Sequence, residues 1–249
     1  MTEQQKTFTT SDGTELFYRY RPAKDGSSDK AIVLFHRGHE HSGRLMYLAD
    51  ELGLDDFAFF AWDARGHGNS PGARGDSPGI ATSVADIQDF MHHIAHHYHI
   101  APENTAVIAQ SVGAVLVATW LHDYAPPIRC AVLASPAFSV KLYVPFARPG
   151  LKLLHKLRGN FFVNSYVKAH YLTHDKARQE DFKRDPLIVR PISVRVLLGL
   201  YDTAERIVAD AQAITTPLLL LISGDDKVVH HQPQHDSSKN NTSSAQSMR

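Results

Sequence analysis

The sequence has little cysteine, no excess of either charge and no long apolar run. One cysteine, Cys130, stands in 249 residues, which excludes an internal disulfide framework and a cysteine zinc cluster. Lys plus Arg and Asp plus Glu each number 26, whereas a general nucleic-acid-binding protein normally has a basic excess. Apolar runs such as 218–222 are far shorter than the roughly 20 residues that span a bilayer. The polar N-terminal segment has no apolar core of signal-peptide type, so we expect a cytoplasmic protein.

Histidine, by contrast, is abundant. Of 16 histidines, five lie between positions 92 and 99, in a stretch with helical periodicity. His92 with His96, and His93 with His97, are four residues apart, a spacing that can bind Zn²⁺ or Ni²⁺. The glutamate that accompanies the first histidine of a zinc-protease pair is absent, so we predict a solvated helix face and no metal site. A histidine-rich metal-binding protein is kept as a third functional alternative.

Short apolar runs and helical patterns alternate along the chain. Residues 6–10 and 14–20 alternate polar and apolar side chains around a Ser-Asp-Gly turn, which predicts an opening hairpin. Continuous apolar runs, which are typical of strands buried on both faces, occur at 31–35, 57–62, 105–109, 130–134 and 218–222. Helical periodicity is found at 43–52, 80–98 and 112–121. Strands that alternate with helices predict a mostly parallel central sheet with helices on both faces.

The strand rhythm stops between 138 and 204, where several helical patterns follow one another. We predict a helical lid over the carboxyl ends of the strands, where ligands bind in such sheets. The predicted organisation is an α/β core in two parts, 1–137 and 205–236, with a lid at 138–204 and a tail at 237–249. The tail is almost entirely polar and is predicted to be disordered, because it has no apolar face to bury.

Ser111 stands at the junction of a predicted buried strand and a predicted buried helix. Small residues on either side suit the sharp turn from which a nucleophilic serine projects in a strand–serine–helix arrangement. The N-terminus of the following helix, with the Val112 N–H group, would face an oxyanion that forms beside this serine. The junction therefore predicts a nucleophile at Ser111.

Four segments extend this pattern, namely HRGHEHSGR (36–44), DARGHGNS (63–70), AQSVG (109–113) and LLISGDDKVV (220–229). Together and in this order they resemble the α/β-hydrolase superfamily. Within it, they are most similar to the monoglyceride lipase and lysophospholipase group, also described as serine aminopeptidase-like. The resemblance covers residues 8–236. It implies the α/β-hydrolase fold, with the segment 138–204 as its helical lid.

The resemblance also implies roles for individual residues. Ser111 would be the nucleophile, and the backbone N–H groups of Gly38 and Val112 would form the oxyanion hole. Asp226 would be the acid of the catalytic triad, because it precedes a basic residue and an apolar pair, and Asp225 is the second choice. No cofactor and no metal are implied, since acyl transfer of this type needs neither.

Three loop residues and two substitutions complete the comparison with the family pattern. Asp63, Arg65 and His67 match a structural loop of the family, so His67 is interpreted as non-catalytic. The family usually has glycine where this chain has Arg37, and again where it has Ala109. Both positions adjoin the predicted site, where a side chain can reshape the oxyanion hole or the serine turn.

The histidine that acts as base in the triad has no clear counterpart. In the family it follows the last strand, and here no histidine lies beyond His235. We therefore expect the last strand and helix of the fold to be missing, and the chain to be truncated near residue 236. The closest candidates for the base are His235, His231 and His230, which follow the predicted acid on the next loop or helix.

The predicted lid is basic. Residues 141–168 contain six basic residues and no acidic one, with leucine and phenylalanine interleaved. Such a segment can dock on an anionic lipid surface, which predicts peripheral membrane contact. The alternative is a lid that packs its apolar side on the sheet and leaves its lysines in water.

The sequence thus predicts a serine hydrolase that cleaves carboxylic esters through an acyl-Ser111 intermediate. Lipid monoesters, such as monoacylglycerol or lysophospholipid, are the expected small-molecule substrates, and no nucleic-acid partner is expected. The alternative from another class is a catalytically impaired hydrolase fragment, or an acyl-binding module, that lacks the triad histidine.

Overall fold

The computed structural model describes residues 2–26, 28–140, 147–165, 167–240 and 246–248, and at 231, 238–240 and 246–248 it describes the backbone alone. Its strands, in chain order, are β1 (Gln4–Thr9), β2 (Glu15–Arg21), β3 (Ala31–Phe35), β4 (Ala58–Trp62), β5 (Thr105–Gln110), β6 (Cys130–Ala134), β7 (Phe162–Asn164), β8 (Pro191–Ser193), β9 (Leu218–Leu221) and β10 (Gln246–Met248). Eight of these described strands form one sheet in the order β1-β2-β4-β3-β5-β6-β9-β10, and β7 pairs with β8 alone.

The sheet is mostly parallel, as predicted. β1 and β2 form the opening hairpin, and β2 lies antiparallel to β4. From β4 to β10 every neighbouring pair of the main sheet is parallel. Every residue of β3 and β4 is buried, because helices cover both faces of the central strands. The continuous apolar runs of the sequence follow from this burial.

The helices flank the sheet and hold the inserted segment. In chain order they are α1 (Leu48–Glu51), α2 (Ile80–Tyr98), α3 (Val112–Tyr124), α4 (Ala147–Arg158), α5 (Ala169–Leu172), α6 (Lys176–Arg184), α7 (Val194–Ala209) and α8 (His231–Asn240). α3 is buried from Gly113 to Leu121 and packs between α2 and α7. In the described part of the chain, no helix has both the length and the apolar character needed to cross a bilayer.

The histidine-rich face of α2 is less uniform than its sequence predicts. His92, His96 and His97 are exposed, which fits a solvated face. His93 is half-buried, with Nε2 3.0 Å from the Tyr18 hydroxyl, and burial lowers the pKa of His93 to about 4. Among the described residues, no group of three or more histidine, cysteine or acidic side chains is placed to hold a metal ion.

The prediction of one helix at 43–52 is wrong. The structure has a 3₁₀ turn at Ser42–Arg44 and then the single turn of α1. Asp63 Oδ1 accepts a hydrogen bond from Ser42 N at 2.6 Å, which fixes the start of this segment independently of a helix. Leu45, Met46 and Ala49 still reach the core beside β3 and β4. The spacing of the apolar residues therefore predicted correctly which side chains are buried, but it predicted the wrong backbone conformation.

The C-terminal region is a second correction. The prediction left no strand or helix after residue 236, with disorder at 237–249. In the structure, α8 continues to Asn240 and packs against α7, and β10 pairs with β9. Residues 241–245 and 249 lie outside the described residues. Gln234 and Ser237 are buried although they are polar, so hydrophobic patterning could not reveal this helix.

The inserted segment lies between β6 and β9, where the strand rhythm stops. It contains α4, α5, α6 and the pair formed by β7 and β8. The lid boundary that the sequence places at residue 204 falls inside α7. Because α7 packs against α2 and α3, its second half is part of the layer that covers the sheet.

Candidate active site

Ser111 occupies a strained turn between β5 and α3. Its backbone has φ 54° and ψ −114°, a conformation that residues other than glycine rarely adopt. Two hydrogen bonds hold it there, since Ser111 N donates to Ala134 O at 2.9 Å and Ala137 N donates to Ser111 O at 3.1 Å. A strained serine that the surrounding structure fixes in this way is the geometry of a nucleophile elbow.

Gly113 allows α3 to approach the end of β3. A Cβ atom at this position would lie 2.4 Å from His36 O and 2.9 Å from Phe35 O, both backbone atoms. Only a residue without a side chain fits this contact, which positions the N-terminus of α3 against the loop that follows β3. The glycine at the end of the AQSVG segment is therefore explained by packing.

We expect a Gly113→Ala variant to have a free energy of unfolding lower by about 1–3 kcal/mol, because the added methyl group must displace the backbone at Phe35 and His36. Urea unfolding followed by circular dichroism measures the change. Gly79→Ala is a suitable control, since a Cβ atom there would meet nothing within 4 Å. Equal stability of the two variants would contradict the packing explanation.

Gly38 and Val112, the residues predicted to supply the oxyanion donors, lie close together. Val112 is the first residue of α3, and its N–H points out of the helix like the other N-terminal amides. Gly38 lies against Val112, since a Cβ atom built on Gly38 would be 3.0 Å from Val112 Cγ2. Among the described residues, neither N–H group donates to an acceptor. The structure thus brings the two predicted donor residues together, and the oxyanion hole stays a prediction.

Ser111, Gly38 and Val112 line one cavity of about 170 Å³. Its wall is mostly apolar and comes from the sheet and its helices and also from the inserted segment. The apolar side chains include Phe35, Trp62, Ile80, Ile87, Leu116, Val163, Leu172, Phe182, Leu197 and Leu200. The predicted nucleophile thus faces a mainly hydrophobic space beneath the predicted lid.

Asp226 lies in the turn after β9, at the same edge of the sheet as Ser111. Its Oδ1 accepts hydrogen bonds from Val228 N at 2.7 Å and from Val229 N at 2.9 Å. Val228 lines the cavity, so the turn reaches the cavity wall. Asp225 is exposed and pairs with Lys227. Of the two neighbouring carboxylates, Asp226 is the one that the turn holds in place.

Of the three candidate bases, the two whose side chains are described do not line this cavity. His230 is exposed in a groove beside Ser139, and its backbone N donates to Ser139 O at 2.8 Å. This groove adjoins the cavity, since Val140 and Tyr201 line both. His235 is half-buried on α8. Neither side chain lines the cavity that contains Ser111. The side chain of His231 lies outside the described residues.

Three other histidines line the cavity, which the sequence did not predict. His36 has both ring nitrogens engaged, since Nδ1 donates to Arg37 O at 2.8 Å and Nε2 accepts from Ala64 N at 3.0 Å. Burial lowers the pKa of His39 and also lowers the pKa of His67, to about 3. These rings are neutral at pH 7. The signal for them is their place in the two loops that follow β3 and β4.

The loop after β4 is organised by buried charge. Asp63 is fully buried, and its Oδ2 accepts from Asn69 N at 2.8 Å. Arg65 makes two hydrogen bonds to the buried carboxylate of Asp86, at 2.6 and 2.7 Å. A further acidic residue of this region, Asp76, lines the cavity and pairs with Arg195. The sequence gives no signal for Asp76 beyond its position after a glycine-rich loop.

The two substitutions beside the site are accommodated. Ala109 is buried in β5 and pairs with Phe35 and Leu133, so its methyl group lies in the core. Arg37 turns its guanidinium to Glu40, with Nη2 2.5 Å from Oε1. The strained conformation of Ser111 is retained beside both.

A family model described as serine aminopeptidase, S33, matches residues 26–249. The Escherichia coli K12 protein YnbC is 64% identical over 210 residues, which cover 84% of this chain and 36% of YnbC. The monoacylglycerol lipase of Mycolicibacterium smegmatis is 27% identical over 88% of this chain and 77% of its own length. The match to YnbC thus spans only about a third of the length of that protein.

Solved structures support the fold. A soluble variant of monoglyceride lipase from Saccharomyces cerevisiae, in complex with a substrate analog, superposes with a TM-score of 0.83 at 16% identity. The alignment covers 99% of this chain and 85% of that structure. The monoacylglycerol lipase of Paleococcus ferrophilus gives a TM-score of 0.79 at 21% identity and covers all of this chain and 89% of that one.

Proposed function

Because the chain belongs to the serine aminopeptidase (S33) family of α/β-hydrolases, we propose that it is a serine hydrolase that cleaves carboxylic esters. The observation that carries the proposal is the strained backbone of Ser111, at φ 54° and ψ −114°, in the wall of a mainly apolar cavity. Strain of this kind persists where the surrounding structure enforces it, and nucleophile elbows are such a place.

In the proposed reaction, Ser111 Oγ attacks the ester carbonyl carbon while its proton passes to a general base. The carbonyl oxygen becomes an oxyanion that accepts hydrogen bonds from Gly38 N–H and Val112 N–H. Collapse of the tetrahedral intermediate breaks the bond to the alkoxy oxygen, which takes the proton from the base and leaves as the alcohol. Water then attacks the acyl-Ser111 ester and gives a proton to the base, which forms a second tetrahedral intermediate. Collapse of this intermediate breaks the bond between the acyl carbon and Ser111 Oγ, Oγ takes the proton back from the base, and the carboxylic acid leaves.

The proposed base comes from the segment around the start of α8, as His230, His231 or His235. Val228 lines the cavity and His230 follows two residues later, so this segment begins at the cavity wall. Asp226, in the same turn, is the proposed acid that orients and stabilises the base. Reaching Ser111 requires His230 to leave the groove beside Ser139.

The proposed substrates are lipid monoesters. The apolar wall suits an acyl chain, and the Mycolicibacterium smegmatis relative is named a monoacylglycerol lipase. A cavity of about 170 Å³ is slightly larger than the engineered cavity of about 150 Å³ that binds benzene. A short acyl chain fits within such a space, whereas a long chain has to extend past the inserted segment.

Fluorophosphonate labelling of the folded chain, with the modified residue mapped by mass spectrometry, tests this proposal. Rapid labelling at Ser111 is the expected result, because the reagent modifies serines that a base activates. Repeating the measurement on His230→Ala, His231→Ala and His235→Ala variants identifies the base as the variant whose labelling is slowest. Labelling at another serine would overturn the assignment of Ser111.

The second candidate function is an acyl-binding module with the same cavity. It is favoured by one observation, that neither His230 nor His235 lines the cavity that contains Ser111. In that case Ser111 stays unlabelled in protein whose circular dichroism shows a folded α/β domain. The chain would then still bind fatty acids, which a fluorescent fatty-acid displacement assay measures.

We also propose that the inserted segment contacts anionic membranes through α4 and the strand after it. Leu153, Leu157 and Phe162 are 61%, 73% and 46% exposed, and α4 has no buried residue. Lys156 and Arg158 have no ion-pair partner among the described residues, so their charges face water. Exposed apolar side chains beside uncompensated cations suit an anionic lipid surface.

A Leu157→Glu variant is expected to bind vesicles of mixed phosphatidylserine and phosphatidylcholine at least about tenfold more weakly than the parent chain. The reason is that burying a leucine side chain contributes roughly 1.5–3 kcal/mol, while glutamate adds repulsion. Co-sedimentation measures the partition. Leu52→Glu, at an exposed leucine outside the insertion, is the matched control. Equal sedimentation of the parent chain with neutral and anionic vesicles would count against membrane contact.

A further inference from the structure

The chain that follows β6, residues 134–140, holds the serine elbow from one side, and we call it the linking segment. Ser111 N donates to Ala134 O at 2.9 Å, and Ala137 N donates to Ser111 O at 3.1 Å. Both partners of these bonds belong to the linking segment. The position of the Ser111 backbone therefore depends on the path that this segment takes after the end of β6.

The linking segment also holds the turn that carries the predicted acid. Ser135 N donates at 2.7 Å to the O atom of Leu221, the last residue of β9. Val140 pairs with Val229 in an isolated antiparallel bridge, and Val229 N donates to Asp226 Oδ1 at 2.9 Å. The linking segment thus contacts the backbone before and after Asp226, so it fixes that turn relative to the elbow.

Ser135 has a strained backbone at the start of this segment. Its φ is 42°, in the left-handed region that residues other than glycine rarely adopt. The Ser135 side chain does not line the cavity, and its hydroxyl forms no hydrogen bond with the other described residues. Strain of this kind persists where the surrounding structure enforces it, and here the enforcing contacts are the backbone hydrogen bonds to the elbow and to β9.

We propose that Ser135 is a positioning residue of the active site. Its left-handed conformation turns the linking segment so that one part holds the elbow of Ser111 and another part holds the turn of Asp226. The inference rests on the proposed function, since it concerns the nucleophile and the acid of that reaction. Because Ser135 acts through the backbone and does not line the cavity, its effect is on the chemical step and not on substrate binding.

Replacing Ser135 by valine tests the proposal. β-branched residues are strongly disfavoured at positive φ, so Ser135→Val is expected to force the linking segment onto a different path. Fluorophosphonate labelling of Ser111 should become about tenfold slower or more, since small displacements of reacting groups have effects of this size. For p-nitrophenyl butyrate, kcat should fall by a similar factor while KM is unchanged. Ser135→Gly, which adopts the left-handed conformation without strain, should keep the parent's labelling rate and kcat.

Ala125→Val is the matched control. Ala125 has the same φ, 42°, but it caps the far end of α3 and does not line the cavity. Valine at this position imposes comparable backbone strain, so both valine variants should unfold at lower urea concentrations than the parent chain. Only Ser135→Val should also slow the labelling of Ser111. Equal labelling rates in the two variants would show that Ser135 has a structural role only and would overturn the proposal.

Amide hydrogen exchange, followed by NMR, tests the linking segment independently of catalysis. The amides of Ser111 and Ala137 should exchange about tenfold faster in Ser135→Val than in the parent chain, and at the parent rate in Ala125→Val. Unchanged exchange in Ser135→Val would also overturn the proposal. Ser135→Thr, which is β-branched but keeps the hydroxyl, takes its place if the valine variant does not fold. If Ser111 is not labelled in the parent chain, the proposed function fails, and the exchange comparison still decides whether Ser135 positions the elbow.

Discussion

Replacing Ser111 by alanine is expected to lower kcat/KM for a short-chain ester by more than about 10³-fold, to the level that the cavity and oxyanion donors sustain without a nucleophile. The loss is large because the acyl-enzyme route needs the hydroxyl oxygen itself, and no described neighbour can replace it at the elbow. The measurement is hydrolysis of p-nitrophenyl butyrate at several protein concentrations, corrected for the uncatalysed rate.

Ser139→Ala is the matched control for this experiment. Ser139 follows β6, two residues after Ala137, whose N–H donates to Ser111 O, but it borders the groove of His230 and not the cavity of Ser111. It should keep activity close to that of the parent chain. Should Ser111→Ala also retain most of the activity, a different residue would be the nucleophile and the elbow would be a structural feature only.

Replacing Arg65 by methionine is expected to destabilise the fold by about 3–5 kcal/mol, because it leaves a buried charge without its partner. The side chains of Arg65 and Asp86 are 9% and 2% exposed and are joined by two hydrogen bonds. Urea unfolding at pH 7 gives the change. Arg206→Met is the control, since Arg206 holds Asp123 by two similar bonds, but on the surface, where such pairs contribute about 1 kcal/mol or less.

The loss in Arg65→Met should also depend on pH. Burial raises the pKa of Asp86, and Arg65 opposes that rise. Without the arginine, the folded-state pKa rises further above its unfolded value. The folded state then binds a proton more tightly than the unfolded state, so stability increases as pH falls toward and below the raised pKa. The deficit of the variant is therefore smaller in acid than at pH 7.

A second substitution separates the buried charge from other effects of the arginine. In the double variant Arg65→Met with Asp86→Leu, both charged partners are replaced, so no unpaired charge remains, and part of the lost stability should return. If the double variant is as unstable as the single one at every pH, packing and the contacts of Arg65 to the hairpin dominate instead of the charge of Asp86.

The sequence predicts best where burial is continuous. The apolar runs at β3 and β4 are too short for an ordinary helix, and every residue of both strands is buried. The long period of α2 likewise defined both of its ends. The segment at 43–52 shows the limit, since apolar residues at helical spacing can be buried by a loop as well as by a helix when another residue, here Asp63, fixes the backbone.

In the candidate site, likewise, local features can be predicted from the sequence and features that depend on the fold cannot. Ser111 is predictable because a strand, a serine and a helix follow one another locally along the chain. The placing of His36, His39 and His67 around one cavity depends on the parallel order of β4, β3 and β5, which brings loops from distant positions to one edge. Asp76 Oδ1 is buried without a hydrogen-bond partner among the described residues, and no spacing of residues along the chain encodes this packing.

The attachment of α4 gives the groove that holds His230 a sensitivity to ionic strength, because Arg148 of α4 lines that groove. α4 buries no residue. Exposed ion pairs of Arg148 with Asp202 and Glu205, and of Lys152 with Asp202, connect it to α7, and the Arg148 guanidinium also lies over the Tyr201 ring. Mobile ions screen exposed pairs, with a Debye length of about 8 Å at physiological salt and about 3 Å at 1 M. Dilute buffer therefore favours the docked position of α4, and concentrated salt weakens it, in the same conditions in which attraction to anionic lipid fades.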